Sequence, residues 1–122
     1  MKIFTGTDIT EVSRIKKDIE ESNEKFLNKI YTEEEIRYCE SKNSQKYESY
    51  AARFAAKEAI YKAINSKMTS SYNWKDFEII NDTTGKPNAN IKIKIDNLEY
   101  VEVSLSHSKE YAIASVLACF KE

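Results

Sequence analysis

The spacing of apolar residues changes along the chain, and each change marks an element. Residues 2–8 alternate weakly and carry Ile3, Phe4 and Thr5, which predicts a short first strand ending at the Asp8 carboxylate. Val12, Ile15 and Ile19 then recur at helical spacing, and Glu11 stands three residues after Asp8, so Asp8 also fits the N-cap of a following helix. The charged stretch 20–29 reads as a mobile connection. Thr32-Glu33-Glu34-Glu35 has the form of a capping box and predicts a second, short helix that ends near residues 40–42.

Residues 45–65 contain neither glycine nor proline and are dense in alanine, which predicts one long helix. A polar run at 67–71 interrupts the pattern before Trp74 and the alternating Phe77 and Ile79 of a strand. Residues 81–87 read as a turn. Ile91, Ile93 and Ile95 alternate with Lys92 and Lys94, and Val101, Val103 and Leu105 alternate again, so each set marks a strand with one wet face. The closing segment YAIASVLACF is apolar at both parities and predicts a buried central strand. A strand, then helices, then an antiparallel sheet make an α+β domain in which the long helix packs on one sheet face, with residues 1–122 forming a single domain.

Composition narrows the class. With 122 residues, 41% apolar and 32% charged, the chain can bury one modest core without disulfide or metal staples. Its 19 basic and 20 acidic side chains leave a formal net charge of −1, which argues against bulk adhesion to nucleic acid or to an anionic membrane. No apolar run approaches the roughly 20 residues of a membrane span, and the start lacks the long apolar stretch of a secretory signal, so the expected compartment is the cytoplasm. Cys39 and Cys119 stand far apart, outside any C-x-x-C spacing, and read as reduced thiols.

Candidate chemistry concentrates on the long helix. Glu58 has Phe54 and Ala55 at the preceding turn and Tyr61 three residues on, so this carboxylate sits on an apolar stripe and needs a cation. Lys62 offers an ordinary helix ion pair, worth about 0.2 to 0.5 kcal/mol at a surface. The alternative is a ligand role: Arg53, Lys57 and Lys62 around one carboxylate suit a polyphosphate bound through Mg²⁺, a hard ion held by one or two carboxylates plus phosphate oxygens. Asp8, just after Gly6-Thr7, is the second candidate carboxylate, with helix capping as its bland role. His107, the sole histidine, shares the parity of Val101, Val103 and Leu105. Beside Ser104, Ser106 and Ser108 it makes a polar strand end suited to phosphate or ribose oxygens. Gly85-Lys86-Pro87 predicts a tight turn. Neither a Walker loop nor a G-x-S-x-G elbow is present. A basic-aromatic strand motif is also missing, which weakens an RNA-binding reading.

Four blocks in order, GTDITEVSRI, RFAAKEAIYKA, DFEIINDTTGKP and VSLSHSKEYAIASV, resemble the holo-acyl-carrier-protein synthase family of small phosphopantetheinyl transferases over nearly the whole chain. The resemblance implies the phosphopantetheinyl transferase fold and a homotrimer with active sites at subunit boundaries. It also implies a reaction, in which coenzyme A donates its 4′-phosphopantetheine arm to a serine of apo acyl carrier protein, for fatty-acid biosynthesis. It further implies Asp8 and Glu58 as magnesium carboxylates, Glu58 and Lys62 as catalytic groups, and Lys62 beside the pyrophosphate. Arg53, Lys57, Gly85, Lys86, Pro87, Ser106 and His107 match positions that meet coenzyme A. Arg14, Lys16 and Lys17 of the first helix would meet the acidic carrier. The chain departs from the family's pattern at Phe4-Thr5 and at Asn65-Ser66-Lys67. A rival from another class is a non-catalytic module that binds coenzyme A or an acidic protein on the face of Arg53, Lys57 and Lys62.

Overall fold

The computed structural model describes residues 1–122. Strand β1 (Lys2–Glu11) leads directly into helix α1 (Val12–Glu21), and two short helices follow, α2 (Lys25–Ile30) and α3 (Glu33–Glu40). The long helix α4 (Lys46–Ile64) precedes four strands: β2 (Phe77–Asn81), β3 (Pro87–Ile91), β4 (Leu98–His107) and β5 (Tyr111–Phe120). β1, β5 and β4 form an antiparallel sheet in that order, while β2 and β3 form a separate hairpin.

Helix α4 is buried on most of its circumference, which explains why its apolar residues follow no single stripe. Its alanines allow close approach on one side to the sheet and on another to α1 and α3. Ile60 and Ile64 are fully buried, and each stabilises the fold by about 1.5 to 3 kcal/mol through loss of water contact. The sheet answers with small side chains: Ala112, Ala114, Val116 and Ala118 of β5 lie at the covered parity.

Several sequence expectations need correction. β1 continues through Asp8 to Glu11, and Glu11 stands at the N-cap of α1 without a side-chain bond, so Asp8 caps nothing. The extension is held by a full ladder to β5, with Thr10 opposite Ala112. Residues 25–30, expected as part of a mobile connection, form α2, with Phe26 ring-stacked 6.1 Å from Phe54. β3 stops at Ile91 because its partner strand begins only at Phe77: residues 74–76 form a 3-10 turn, so the Lys92 amide still donates in register to the Asp76 carbonyl at 2.8 Å but meets no strand beyond it. β5 is central in its sheet as expected, but only one of its faces is covered: Tyr111 and Ile113 are 43% and 42% exposed.

The capping box is present as the sequence predicts. Thr32 Oγ1 accepts from the Glu35 amide at 3.2 Å, and Glu35 Oε1 accepts from the Thr32 amide at 2.9 Å.

Candidate active site

Even-numbered residues of β1 face α4, and Gly6 is the contact that sets their distance. A β-carbon there would lie 2.0 Å from the Ala59 carbonyl oxygen, so only glycine lets strand and helix backbones approach this closely. Two residues on, Asp8 projects toward the next turn of the helix. Its Oδ1 lies 3.1 Å from Lys62 Nζ, and its Oδ2 accepts from Thr10 Oγ1 at 2.9 Å. Lys62 Nζ also donates to the Thr7 carbonyl at 3.0 Å. The lysine therefore reaches across to β1 and does not form the within-helix pair with Glu58 that their spacing offers.

Glu58 is half-buried and has no ion pair. Burial pushes its pKa up, the neighbouring Asp8 charge pushes it further, and Lys62 and Arg14 pull it back in part. Two neighbouring carboxylates, one of them half-buried and without an ion pair, form a donor set suited to a hard divalent cation. The cations that influence Glu58 are thus Lys62 and Arg14, whereas Arg53 and Lys57, expected around it, are buried elsewhere. Arg14 lies over the Phe54 ring at 5.4 Å and within 3.9 Å of Asp18, which joins the basic start of α1 to this site.

A second feature opens beside the N-terminal half of α4. Arg53, Gly85, Pro87 and His107 come from three separate segments and line one cleft of about 260 Å³, joined by Tyr38 and Lys42. Arg53 is only 3% exposed, and no carboxylate is among its partners. Its Nη2 donates to Asn81 Oδ1, its guanidinium lies 4.1 Å over the Tyr38 ring, and its Nε has no partner at all. A buried, unneutralised guanidinium with a free donor is a strong point of attraction for an anionic ligand. Asn81 Nδ2 also donates to the Gly85 carbonyl at 2.9 Å, so one amide holds both the arginine and the turn. Gly85 has φ +88°, a conformation that favours glycine. Arg53 and Glu58 are five residues apart on one helix, about 7.5 Å along its axis.

Three predicted contact residues lie outside this cleft. Lys57 is fully buried, with Nζ 2.9 Å from Glu35 Oε1, so it is a core residue and not part of an exposed basic side. Burial lowers its pKa, and Glu35 opposes that shift. Lys86 pairs with Glu102 at 3.1 Å and lines a depression of about 660 Å³ with Thr5, Thr7 and Ser115 of the uncovered sheet face. Ser106 lies opposite Ile113 on that same uncovered face, one residue out of parity with His107. Sequence reasoning missed Tyr38, Lys42 and Asn81. Only Asn81 left a signal, as the first residue of the polar turn.

A buried arginine cleft thus shares one helix with a carboxylate that has a second carboxylate and a lysine beside it, a combination whose chemistry suits a phosphorylated ligand. Residues 5–116 match the sequence profile of the 4′-phosphopantetheinyl transferase superfamily. The chain belongs to that family. It is 45% identical over 120 residues to the holo-[acyl-carrier-protein] synthase of Ruminiclostridium cellulolyticum, covering 93% of this chain and 90% of that one. It is likewise 45% identical over 114 residues to the synthase of Chloroherpeton thalassium, covering 92% and 93%. Among solved structures, the holo-(acyl-carrier-protein) synthase of Bacillus anthracis in complex with CoA (3′,5′-ADP) superposes with a TM-score of 0.75 at 38% identity, covering 94% of each chain. The Chronobacterium ammoniagenes ACPS-CoA complex superposes with a TM-score of 0.85 over the whole of both chains, and at 21% identity it attests the fold.

Proposed function

We propose that this protein transfers the 4′-phosphopantetheine arm of coenzyme A to a serine hydroxyl of apo acyl carrier protein, giving the holo carrier and adenosine 3′,5′-bisphosphate. The observation that carries the reading is that Glu58, with Asp8 and Lys62 beside it, stands about 7.5 Å along one helix from Arg53 and its cleft, in a chain 45% identical to named synthases. Asp8 and Glu58 would hold Mg²⁺, which when bound neutralises diphosphate oxygens and makes phosphorus a better electrophile. Arg53, Gly85, Pro87 and His107 would seat the nucleotide end of coenzyme A. The serine oxygen forms the new bond to phosphorus as the bond to the leaving phosphate oxygen breaks. Glu58 would take the serine proton as that bond forms. Lys62 offsets the charge that develops on the leaving phosphate.

The carrier would meet Arg14, Lys16 and Lys17 of α1, since Arg14 ties that helix to the carboxylates. The uncovered sheet face supports a homotrimer: Ile3, Ile9 and Ile113 are 53%, 60% and 42% exposed on one three-stranded layer. No helix is long and apolar enough to cross a membrane, and the compartment we propose is the cytoplasm.

The test is to mix the protein with coenzyme A, Mg²⁺ and apo acyl carrier protein and to weigh the carrier. A gain of one phosphopantetheine group supports the reading. Unchanged mass across several carriers, with coenzyme A still bound, favours the non-catalytic module.

A further inference from the structure

The β2–β3 hairpin shares no ladder with the main sheet, yet it carries Asn81 and the Gly85 turn, which form one wall of the Arg53 cleft. Something else must seat it on α4. The bonds that do so converge on Lys57. Its Nζ uses all three donors on oxygens: Glu35 Oε1 at 2.9 Å, the Phe77 carbonyl at 2.8 Å and the Trp74 carbonyl at 3.1 Å. Glu35 completes the tie, because its Oε2 accepts from the Ile79 amide at 2.9 Å while its Oε1 also holds the Thr32 amide at 2.9 Å. Both side chains are 0% exposed, so no water substitutes for any of these partners. One buried pair therefore joins α3, α4 and the first half of β2.

From this juxtaposition we infer that Lys57, acting with Glu35, is a positioning residue for the coenzyme A cleft. It holds β2 in register with α4, so that Asn81 meets Arg53 and the turn closes over the nucleotide end while Glu58, the next residue on the helix, faces the reaction. Lys57 touches no substrate. A burial of two charges is seldom the most stabilising choice for a core, since a well-packed apolar pair often does as well. What distinguishes this pair is its directed bonds to two carbonyl oxygens and two amides, those of Trp74, Phe77 and Ile79 fixing where the hairpin sits. The inference rests on the transferase reading for its kinetic consequence, but not for its structural one.

Lys57→Met alone leaves Glu35 charged and buried, so the informative protein is the double variant E35Q/K57M, in which neither charge remains. Amide hydrogen exchange is expected to quicken at Ile79 and through residues 80–86, while β1 and β5 keep wild-type protection. The KM for coenzyme A is expected to rise about tenfold with the KM for apo carrier unchanged, a loss confined to donor binding. In combination with Asn81→Ala the two losses are expected to be less than additive, because both act on the same hairpin. Wild-type protection at residues 79–86 would overturn the inference. Faster exchange with an unchanged KM for coenzyme A would overturn it as well. Wild-type turnover is scored separately: a wild-type chain that transfers nothing sinks the transferase reading, while the exchange data still decide whether Lys57 seats β2.

Discussion

Gly6 faces the backbone of Ala59 so closely that a methyl group in its place would penetrate the carbonyl, 2.0 Å away. Neither partner can yield, since one lies in the ladder to β5 and the other in the middle of α4. Gly6→Ala is expected to destabilise the fold by at least about 3 kcal/mol, at the upper end of overpacking costs. Any folded fraction would hold Asp8 farther from Lys62. Denaturant melts check this, and an unchanged midpoint would show that the close approach is not needed.

Glu58 makes stability depend on pH in a specific direction. Its folded-state pKa lies above the ordinary glutamate value, so the folded state binds a proton more tightly than the unfolded chain. The associated stability is full below the unfolded pKa, roughly pH 4.3, and is lost as pH rises toward the folded value. Glu58→Gln stays neutral throughout. In metal-free buffer its melting temperature is expected to gain on the wild type as pH rises through that window, and added Mg²⁺ is expected to stabilise the wild type only. A difference in melting temperature that does not vary with pH would contradict the raised pKa that burial, and after it Asp8, give Glu58.

Arg53 is expected to bind coenzyme A through donors that lysine lacks. Arg53→Lys keeps the charge but loses the fork and its stacking on Tyr38, so the KM for coenzyme A should rise about tenfold with kcat little changed. Steady-state kinetics with saturating carrier read this directly. An equal loss in kcat would place Arg53 in the chemistry instead.

The uncovered sheet face predicts assembly. Ile113→Glu places a charge on that face, on the central strand β5, and is expected to convert trimer to monomer by light scattering without unfolding the chain. A wild-type protein that is already monomeric would contradict the trimer.

Much of the fold is legible in local chemistry. The capping box at Thr32, the glycine-free run of α4 and the parity of His107 each reflect neighbours in sequence. The departures have a common cause, which is that long-range partners override local pattern. Lys62 stands four residues from Glu58 but pairs with Asp8 on another element. Lys57 reads as a surface cation until Glu35 and two carbonyls from the chain beyond α4 enclose it. The α2 segment did carry a signal, with Phe26, Leu27 and Ile30 at helical spacing, but the surrounding charges obscured it. At the site, Asp8 meets Lys62 and both act on the charge of Glu58, whereas Ser106 and Lys86 lie on the opposite face because strand parity and the Glu102 pair place them there.

The most direct measurement compares wild type with Glu58→Ala for Mg²⁺-dependent conversion of apo to holo carrier, with coenzyme A binding followed by calorimetry in parallel. The account predicts that the wild type converts the carrier only when Mg²⁺ is present, and that Glu58→Ala converts none while still binding coenzyme A through the Arg53 cleft. Conversion by Glu58→Ala at the wild-type rate, with the same metal dependence, would contradict it.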